Sequence, residues 1–233
     1  MGYPLSDITV YYDGTIIKDA PKDWEFRNLV NYVSDFYHDQ LDKYKPPKTS
    51  RICIHLNSAN TCKEPIFFGS ICSLYQIIDE RSYLSLNKQE KFEYILKLIH
   101  DSVIKASKIL NWETDVFKTA YDNVLNSNFR FRKNYVDKKS RNRKNIGKVF
   151  ITKTETTASL GFKITTENQD LEEVVLTKKN SWWYDSTYDI AKKCKWISND
   201  QFGYMSKEKD KYAYLELNTG KIVSNIEFKE RDI

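Results

Sequence analysis

The chain has 233 residues, of which 40% are hydrophobic, 14% aromatic and 30% charged, and its formal net charge is +5. This content of aromatic residues is typical of a folded protein and excludes a disordered chain. The charge excess predicts solubility and a slight preference for acidic partners. No apolar run is long enough to cross a membrane, and the N-terminus lacks the pattern of a secretory signal, so we expect a cytoplasmic protein without membrane contacts.

The first 130 residues are expected to form an α+β region that begins with strands. An Asp13-Gly14 pair lies between two β-branched and aromatic runs, which predicts an opening hairpin over residues 7–18. Alternating apolar residues predict a half-buried strand at 51–56. The stretch PIFFGSICSLYQIID at 65–79 predicts two short strands or one bent strand.

Three segments of this region have apolar residues three and four positions apart, which predicts helices near 23–44, 88–110 and 112–126. Asn87 is the expected N-cap of the second helix. Glu90, three residues later, completes a pattern close to a capping box. Asn111 is expected to end that helix, so the second and third helices are separated by a very short join.

The period of the apolar residues changes to two at Lys148. Short alternating runs follow, separated by turn residues such as Asn199-Asp200 and Asn218-Thr219-Gly220. Strands at this spacing predict an antiparallel meander or sandwich over residues 148–233. The run SWWYDSTYDIAKKC, 181–194, fits neither a helical nor a strand period. The expected fold class is therefore α+β, with the antiparallel β region at the C-terminal end.

The segment FRFRKNYVDKKSRNRKNIGKVF, 129–150, holds nine Lys or Arg and one acid between Arg130 and Lys148. Because it lies where the period changes, we interpret residues 131–147 as a solvated basic connector. Nucleic-acid binding by residues 130–148 is the open alternative, with aromatic residues of the segment available for stacking. The candidate phosphate-contacting residues are Arg130, Arg132, Lys133, Arg141, Arg143 and Lys144.

Signatures of catalysis and of metal binding are missing from the sequence. The four cysteines form no C-x-x-C pair, and there is no G-x-S-x-G, H-E-x-x-H or Gly-Lys-Ser phosphate loop. Cys53, His55 and Cys72 are the residues whose convergence would create a Cys-His or metal site, so a hydrolase or nuclease there is a lesser alternative. We expect no enzyme activity, no cofactor and no metal.

Tyrosine and tryptophan are frequent, with 16 and 5 residues respectively. These side chains favour interfaces because they cover a large area at low entropic cost, although they also fill strands. The expected partner-binding residues are the triplet Trp182-Trp183-Tyr184 and Trp196. The open alternative is that the triplet packs on both of its faces within the fold.

The block NKQEKFEYILKLIHDSVIKASKILNWETDVFKTAYDNVLNSNF, 87–129, is followed by the basic segment and by a strand-rich tail that contains ISNDQFGYMSKEKDKYAYLELNTGKI. This layout, over about the last two thirds of the chain, resembles the small bacterial immunity proteins of polymorphic or contact-delivered toxin systems. The resemblance implies a non-enzymatic antitoxin that binds a cognate toxin and blocks it. The mild positive charge would favour an acidic toxin surface.

Overall fold

The computed structural model describes residues 4–17, 25–57, 64–167, 170–179 and 186–226, and it confirms an α+β fold. The chain divides into a first unit, Met1–Phe129, and a second unit, Arg130–Ile233. The elements of the first unit are β1 (Asp7–Tyr12), α1 (Glu25–Asp39), β2 (Arg51–Asn57), β3 (Ile66–Phe68), β4 (Ile71–Ile77), α2 (Glu80–Ser85), α3 (Lys88–Leu110) and α4 (Thr114–Asn126).

The first unit is built on a four-stranded sheet with the order β1-β2-β4-β3. β1 pairs in parallel with β2, and β2 pairs in parallel with β4, whereas β3 runs antiparallel to β4 at the edge. Gly69 lies in the connection from β3 to β4 with a φ of +61°, a conformation that glycine adopts without steric cost. The prediction of two short strands within 65–79 is confirmed.

Helices cover one face of this sheet and form the core of the first unit. Ile52, Ile54 and Leu56 of the central strand β2 are completely buried, as are Val33 of α1 and Ile99 of α3. Burying a side chain of this size stabilises the fold by roughly 1.5–3 kcal/mol. The strand predicted at 51–56 is confirmed, and it lies at the centre of the sheet.

The three predicted main helices are present, and their ends follow local capping. At the start of α3 the Glu90 N–H donates to Asn87 Oδ1 at 3.0 Å and the Asn87 N–H donates to Glu90 Oε2 at 2.8 Å, so the capping box is confirmed. Asn111 ends α3 in the left-handed conformation, with a φ of +54°. α1 ends at Asp39, earlier than expected, because Asp42 and Lys43 that follow also have positive φ.

The predicted hairpin over residues 7–18 is wrong. β1 ends at Tyr12 and pairs in parallel with β2, which places Ile8 beside Ile52 in the buried layer. Residues 13–17 form a loop in which Glu80 takes up backbone N–H groups that a second strand would need for pairing. Burial of the apolar face of β1 against the helices therefore outweighs the local turn preference of Asp-Gly.

Within residues 130–167, 170–179 and 186–226, the second unit contains two antiparallel sheets and one helix. Its elements are β5 (Phe131–Asn134), β6 (Lys138–Lys139), β7 (Ile146–Lys153), β8 (Thr157–Thr165), β9 (Asp170–Lys179), α5 (Ser186–Lys193), β10 (Lys195–Trp196), β11 (Gln201–Met205), β12 (Tyr212–Glu216) and β13 (Lys221–Ser224). One sheet has the order β5-β7-β8-β9, with β6 also paired to β7, and the other has the order β10-β11-β12-β13. The prediction of a C-terminal antiparallel β region is confirmed.

The core of the second unit lies where Phe202 of one sheet meets the other sheet. Its ring centroid is 5.5 Å from that of Phe162, edge to face. A Cβ on Gly147 would lie 2.5 Å from the Phe202 ring, so glycine permits this close packing. The helix α5 lies inside the stretch that fitted neither period, and Ile190 and Ala191 of this helix are buried.

The basic segment is not a connector, and that interpretation is corrected. Residues 131–147 contribute β5, β6 and the start of β7 to one sheet of the second unit. The segment can form strands because alternate side chains of a strand face opposite sides. Phe131 is buried while Arg132 is exposed, so the charges stay in water as the backbone pairs.

Candidate functional site

The sheet face of the first unit that the helices leave uncovered carries a row of three stacked rings. The parallel register aligns Tyr11, His55 and Tyr75 on β1, β2 and β4. The imidazole centroid of His55 is 5.2 Å from the Tyr11 ring and 5.0 Å from the Tyr75 ring, with interplanar angles of 20° and 17°. Cross-strand aromatic pairs of this kind stabilise a sheet and stiffen its surface.

Asp13 fixes the orientation of the central ring in this row. Its Oδ2 lies 3.2 Å from His55 Nδ1, and the two side chains are 54% and 26% exposed. A hydrogen bond from Nδ1–H to the carboxylate fixes the orientation of the imidazole ring. The loop after β1 thus holds the ring row in a defined geometry.

Large apolar side chains surround the ring row and are in contact with solvent. Phe68 is 65% exposed and Ile77 is 48% exposed, and alternation along β3 and β4 places both on the same sheet face as Tyr75. We name this surface the open face and define it as Tyr11, His55, Ile66, Phe68, Tyr75 and Ile77. Contiguous exposed apolar surface of this kind marks interaction sites in folded proteins.

An ion pair between buried Asp7 and partly exposed Arg51 lies at one end of the open face. Asp7 is 1% exposed, and its Oδ2 accepts a hydrogen bond of 2.8 Å from Arg51 Nε. Its Oδ1 accepts a second one, of 2.6 Å, from Thr9 Oγ1. Because the carboxylate is paired and hydrogen-bonded, its burial is tolerated. The bond to Asp7 also raises the pKa of the Arg51 guanidinium.

The structure does not bring Cys53, His55 and Cys72 together. Cys53 aligns with Ser73 and shares the sheet face of His55, whereas Cys72 aligns with Ile52 on the face that the helices cover. Burial raises the pKa of Cys53 and raises that of Cys72 to about 12, so both thiols are protonated near neutral pH. Among the residues that the structure describes, no group of three or more His, Cys, Asp or Glu is arranged to hold a metal ion.

Two of the candidate phosphate-contacting residues are engaged within the fold of the second unit. Arg132 Nη1 lies 2.9 Å from Glu172 Oε1, and its guanidinium carbon lies 3.9 Å from the centroid of the Phe150 ring. Lys133, on the next position of β5, is half-buried and has partners of its own. Arg132 therefore links β5 to β9 through its ion pair with Glu172, and little of its charge is free for a ligand.

The other candidates are exposed, and three of them lie on the loop between β6 and β7. Arg130 is exposed just before β5. We name residues 140–145 the basic loop, which presents Arg141, Arg143 and Lys144 to solvent. None of these three side chains makes an ion pair with any residue in the described part of the chain. Arg141, Arg143 and Lys144 of the loop therefore keep their positive charge free of any ion pair within the described residues.

Backbone and side-chain hydrogen bonds hold the basic loop in one conformation. Ser140 N–H donates to the Asn145 carbonyl at 2.9 Å, and the Asn145 N–H donates back to Ser140 Oγ at 3.0 Å. From the turn between β10 and β11, Asn199 Oδ1 accepts from the Asn142 N–H and the Asn199 carbonyl accepts from Asn145 Nδ2, each at 3.1 Å. The cations are therefore presented on a preformed backbone.

The charge of the protein is divided unequally between the two units. Residues 130–233 hold 22 Lys and Arg against 15 Asp and Glu, which is a net charge of +7. Residues 1–129 hold 15 against 17, which is −2. The modest overall charge of +5 therefore conceals a clearly basic second unit, and any electrostatic attraction of acidic partners acts mainly there.

Of the four expected partner-binding residues, the structure describes only Trp196. The triplet Trp182-Trp183-Tyr184 lies outside the described residues. Trp196 is half-buried, its ring packs 5.1 Å from that of Phe202, and its Nε1–H donates to the Lys138 carbonyl at 2.7 Å. These contacts give Trp196 a role in packing β10 against β6, which leaves only part of its ring accessible.

Comparison with protein families, with curated proteins and with solved structures produced no match. The functional inference therefore rests on the geometry of this chain. None of the helices in the described ranges combines the length and the apolar character that crossing a membrane requires.

The open face was missed at the sequence level although its residues carry a signal. Tyr11 and Tyr75 lie at positions of opposite parity to the buried Ile8 and Leu74 of their strands, so they point to the other sheet face. Periodicity along one strand does not reveal which strands become neighbours. The alignment of Tyr11 with His55 depends on parallel pairing between segments that are more than 40 residues apart.

Proposed function

We propose that this chain is a cytoplasmic, non-enzymatic protein-binding module, and that it acts as an immunity protein which binds a cognate bacterial toxin. The observation that carries the proposal is the open face, where aromatic and apolar side chains on adjacent strands are exposed to water. A partner that covers this surface would remove unfavourable contacts between these side chains and water. The layout of the chain, similar to that of immunity proteins, supports the same role.

The chemistry of the open face suits an interface with a protein. Phe68 and Tyr11 are exposed aromatic side chains, which are effective anchors when a partner desolvates them. Asp13 and Arg51 at its margin can form the polar rim that surrounds such anchors. The stacked ring row and the paired sheet backbone are preformed, so little conformational entropy is lost on binding.

The protonation state of the Cys53 and Cys72 thiols favours a binding role over covalent catalysis. The thiols of Cys53 and Cys72 are protonated near neutral pH because burial raises their pKa values. Cys72 also faces the helices, away from His55. A Cys-His site needs a thiolate within hydrogen-bond reach of its base, and this pair does not provide it.

The proposed mechanism is occlusion of the toxin. The open face would dock over the toxin's active cleft and exclude its substrate, without any chemical change in either protein. The net charge of +7 on residues 130–233 would speed the encounter with an acidic toxin surface. The preference for an acidic partner would appear as an association rate that falls as salt is added.

The test uses the purified toxin encoded next to the gene for this chain. We expect binding by isothermal titration calorimetry and loss of toxin activity at equimolar ratio. The variant Phe68→Asp should weaken binding at least about thirtyfold, as loss of an aromatic anchor does. The matched control is Val136→Asp, because Val136 is 83% exposed and lies in the other unit.

The proposal fails if toxins encoded beside the gene neither bind the chain nor lose activity in its presence. It also fails if Phe68→Asp and Ile77→Asp both bind the toxin as tightly as the unmodified protein. Circular dichroism and thermal unfolding of each variant separate loss of binding from loss of folding.

A further inference from the structure

We propose that the second unit carries a separate site for the phosphate backbone of nucleic acid, formed by the basic loop and the lysines beside it. The site consists of Lys139, Arg141, Arg143, Lys144 and Lys195. This site lies in the second unit, whereas the open face lies in the first, and its ligand is a nucleic acid instead of a protein. The two proposals can therefore be tested independently.

The first observation is that these five cations are exposed and unpaired. None of them makes an ion pair or a side-chain hydrogen bond with another residue in the ranges that the structure describes. The neighbouring cations on the same sheet are neutralised, since Lys148 lies 3.0 Å from Asp137 and Lys163 lies 3.7 Å from Asp170. The five cations of the site are thus not offset by carboxylates in the way that Lys148 and Lys163 are.

The second observation is that β10 brings a further cation next to the loop. Trp196 Nε1 donates to the Lys138 carbonyl at 2.7 Å, and Lys138 Nζ donates to the Cys194 carbonyl. These bonds hold β6 and β10 side by side, so Lys139 and Lys195 lie on neighbouring strands. Asn199 ties the next turn to the loop itself.

The third observation is that the site is preformed. Arg143 has a φ of +62°, a left-handed conformation that is uncommon for arginine, and its N–H donates to the Ser140 carbonyl at 2.9 Å. Lys144 N–H donates to Asn142 Oδ1 at 3.1 Å. Because the backbone is already fixed, binding an anion requires ordering only of the side chains.

The composition of the site favours nucleic acid over an acidic protein. Residues 138–145 have the sequence KKSRNRKN, which contains no apolar side chain. Protein interfaces depend on a desolvated apolar centre, which residues 138–145 do not supply. Binding to a phosphate backbone needs only cations at a suitable spacing, because release of counterions supplies its free energy. Arginine adds the planar fork that matches phosphate oxygens.

The experiment measures binding of the full chain to a fluorescein-labelled, mixed-sequence duplex by anisotropy across a salt series. Five phosphate contacts predict a slope of log K against log salt of about −4.5, equivalent to a loss of affinity of about five hundredfold between about 50 and 200 mM salt. The single strand and an acidic Glu-rich peptide of similar length are measured in parallel.

The decisive variant neutralises the loop as Arg141→Gln, Arg143→Asn and Lys144→Gln, with Asn chosen because it tolerates positive φ. The slope should fall to about −2, since each lost contact removes about 0.9. The matched control is Lys207→Gln, Lys209→Gln and Lys211→Gln, which removes the same charge from an exposed turn where Glu208 and Asp210 offset two of the three lysines. The control should keep the original slope.

Three results would overturn the site. The first is that the unmodified chain does not bind the duplex or the single strand at low salt. The second is that the control triple variant lowers the slope as much as the loop variant, which would mean diffuse attraction to a basic unit. The third is that the acidic peptide binds through the loop while both nucleic acids do not, which would assign the loop to a protein partner.

Discussion

The carboxylate of Glu80 accepts a hydrogen bond of 2.6 Å from the backbone N–H of Ile16, which lies 64 residues earlier in the chain. Its other oxygen accepts from Thr15 N–H at 3.3 Å, and the side chain is 3% exposed. A Cβ on Gly14 would lie 2.0 Å from Glu80 Oε1. Glycine at this position therefore permits the approach of a buried carboxylate and does not form the turn of a hairpin.

We predict that Glu80→Gln lowers the free energy of unfolding by about 1–3 kcal/mol. The amide keeps one acceptor and introduces N–H donors where the backbone also donates, so a buried charge-assisted bond is lost. The measurement is the urea midpoint monitored by circular dichroism. Glu93→Gln, at an exposed position of α3, is the control and should change stability by less than about 0.5 kcal/mol. Equal effects of the two substitutions would contradict the buried role of Glu80.

A second prediction concerns Gly161, where we expect the usual preference of strands for alanine over glycine to be reversed. Alanine in a strand is ordinarily favoured over glycine by about 0.5–1 kcal/mol. Here a Cβ would lie 2.1 Å from the Phe150 ring, which is buried between Gly161 and the guanidinium of Arg132. Gly161→Ala should therefore destabilise the second unit by about 1–3 kcal/mol.

The same prediction is checked by a double-mutant cycle with Phe150→Leu. If the ring causes the clash, Gly161→Ala should be much less costly in the Phe150→Leu background. Ser159→Ala, two residues earlier on β8, serves as the control. Additive effects of Gly161→Ala and Phe150→Leu in urea unfolding would show that the packing of Phe150 on Gly161 is not the reason for glycine.

We predict that the protein loses stability in mild acid because His100 is buried. Its Nδ1 lies 3.1 Å from the hydroxyl of Tyr37, which donates to the Phe117 carbonyl at 3.0 Å, so His100 donates to Tyr37. Burial lowers the pKa of His100 below its ordinary value of 6.5. Asp101 and Asp122 act in the opposite direction, while Lys97 and Lys118 add to the lowering. The folded protein thus binds this proton less readily than the unfolded chain.

The sign of the effect follows from that difference. The contribution of His100 to the free energy of unfolding is fully present above the ordinary pKa of histidine. It is lost as the pH falls from there towards the lowered pKa of the folded state. We expect the urea midpoint to fall between about pH 7 and pH 5, and His100→Gln to flatten this part of the curve. His38→Gln is the control. An unchanged pH profile in His100→Gln would assign the acid sensitivity to other groups.

Asn199 offers a way to separate loop rigidity from loop charge. Asn199→Ala removes the Oδ1 acceptor of Asn142 N–H but leaves every cation of the basic loop in place. If the preformed loop contributes to binding of the duplex, affinity should fall by about fivefold, within the ordering cost of one or two side chains. The salt slope should stay near its original value because it counts phosphate contacts. A change in slope without a change in low-salt affinity would contradict this division of roles.

Much of the secondary structure could be predicted from periodicity and capping. The capping box of Asn87 and Glu90, the end of α3 at Asn111 and the alternation from Lys148 onward depend on neighbours in sequence, and all three appear in the structure. The helix α5 was missed because eight residues provide only two turns of pattern. The free charge of Arg141 and Arg143 was visible in sequence, but the neutralisation of Arg132 by Glu172 was not.

The sequence by itself determined the fold class, the main helices, the C-terminal antiparallel strands and the exposure of the basic residues, because these follow from short-range hydrophobic periodicity and from the cost of burying charge. Only the tertiary structure decided that β1 pairs with β2, that Cys72 faces away from His55, and that Tyr11, His55 and Tyr75 form one stacked row. Strand order and register depend on how distant apolar faces are buried together, and local sequence preferences do not contain that information.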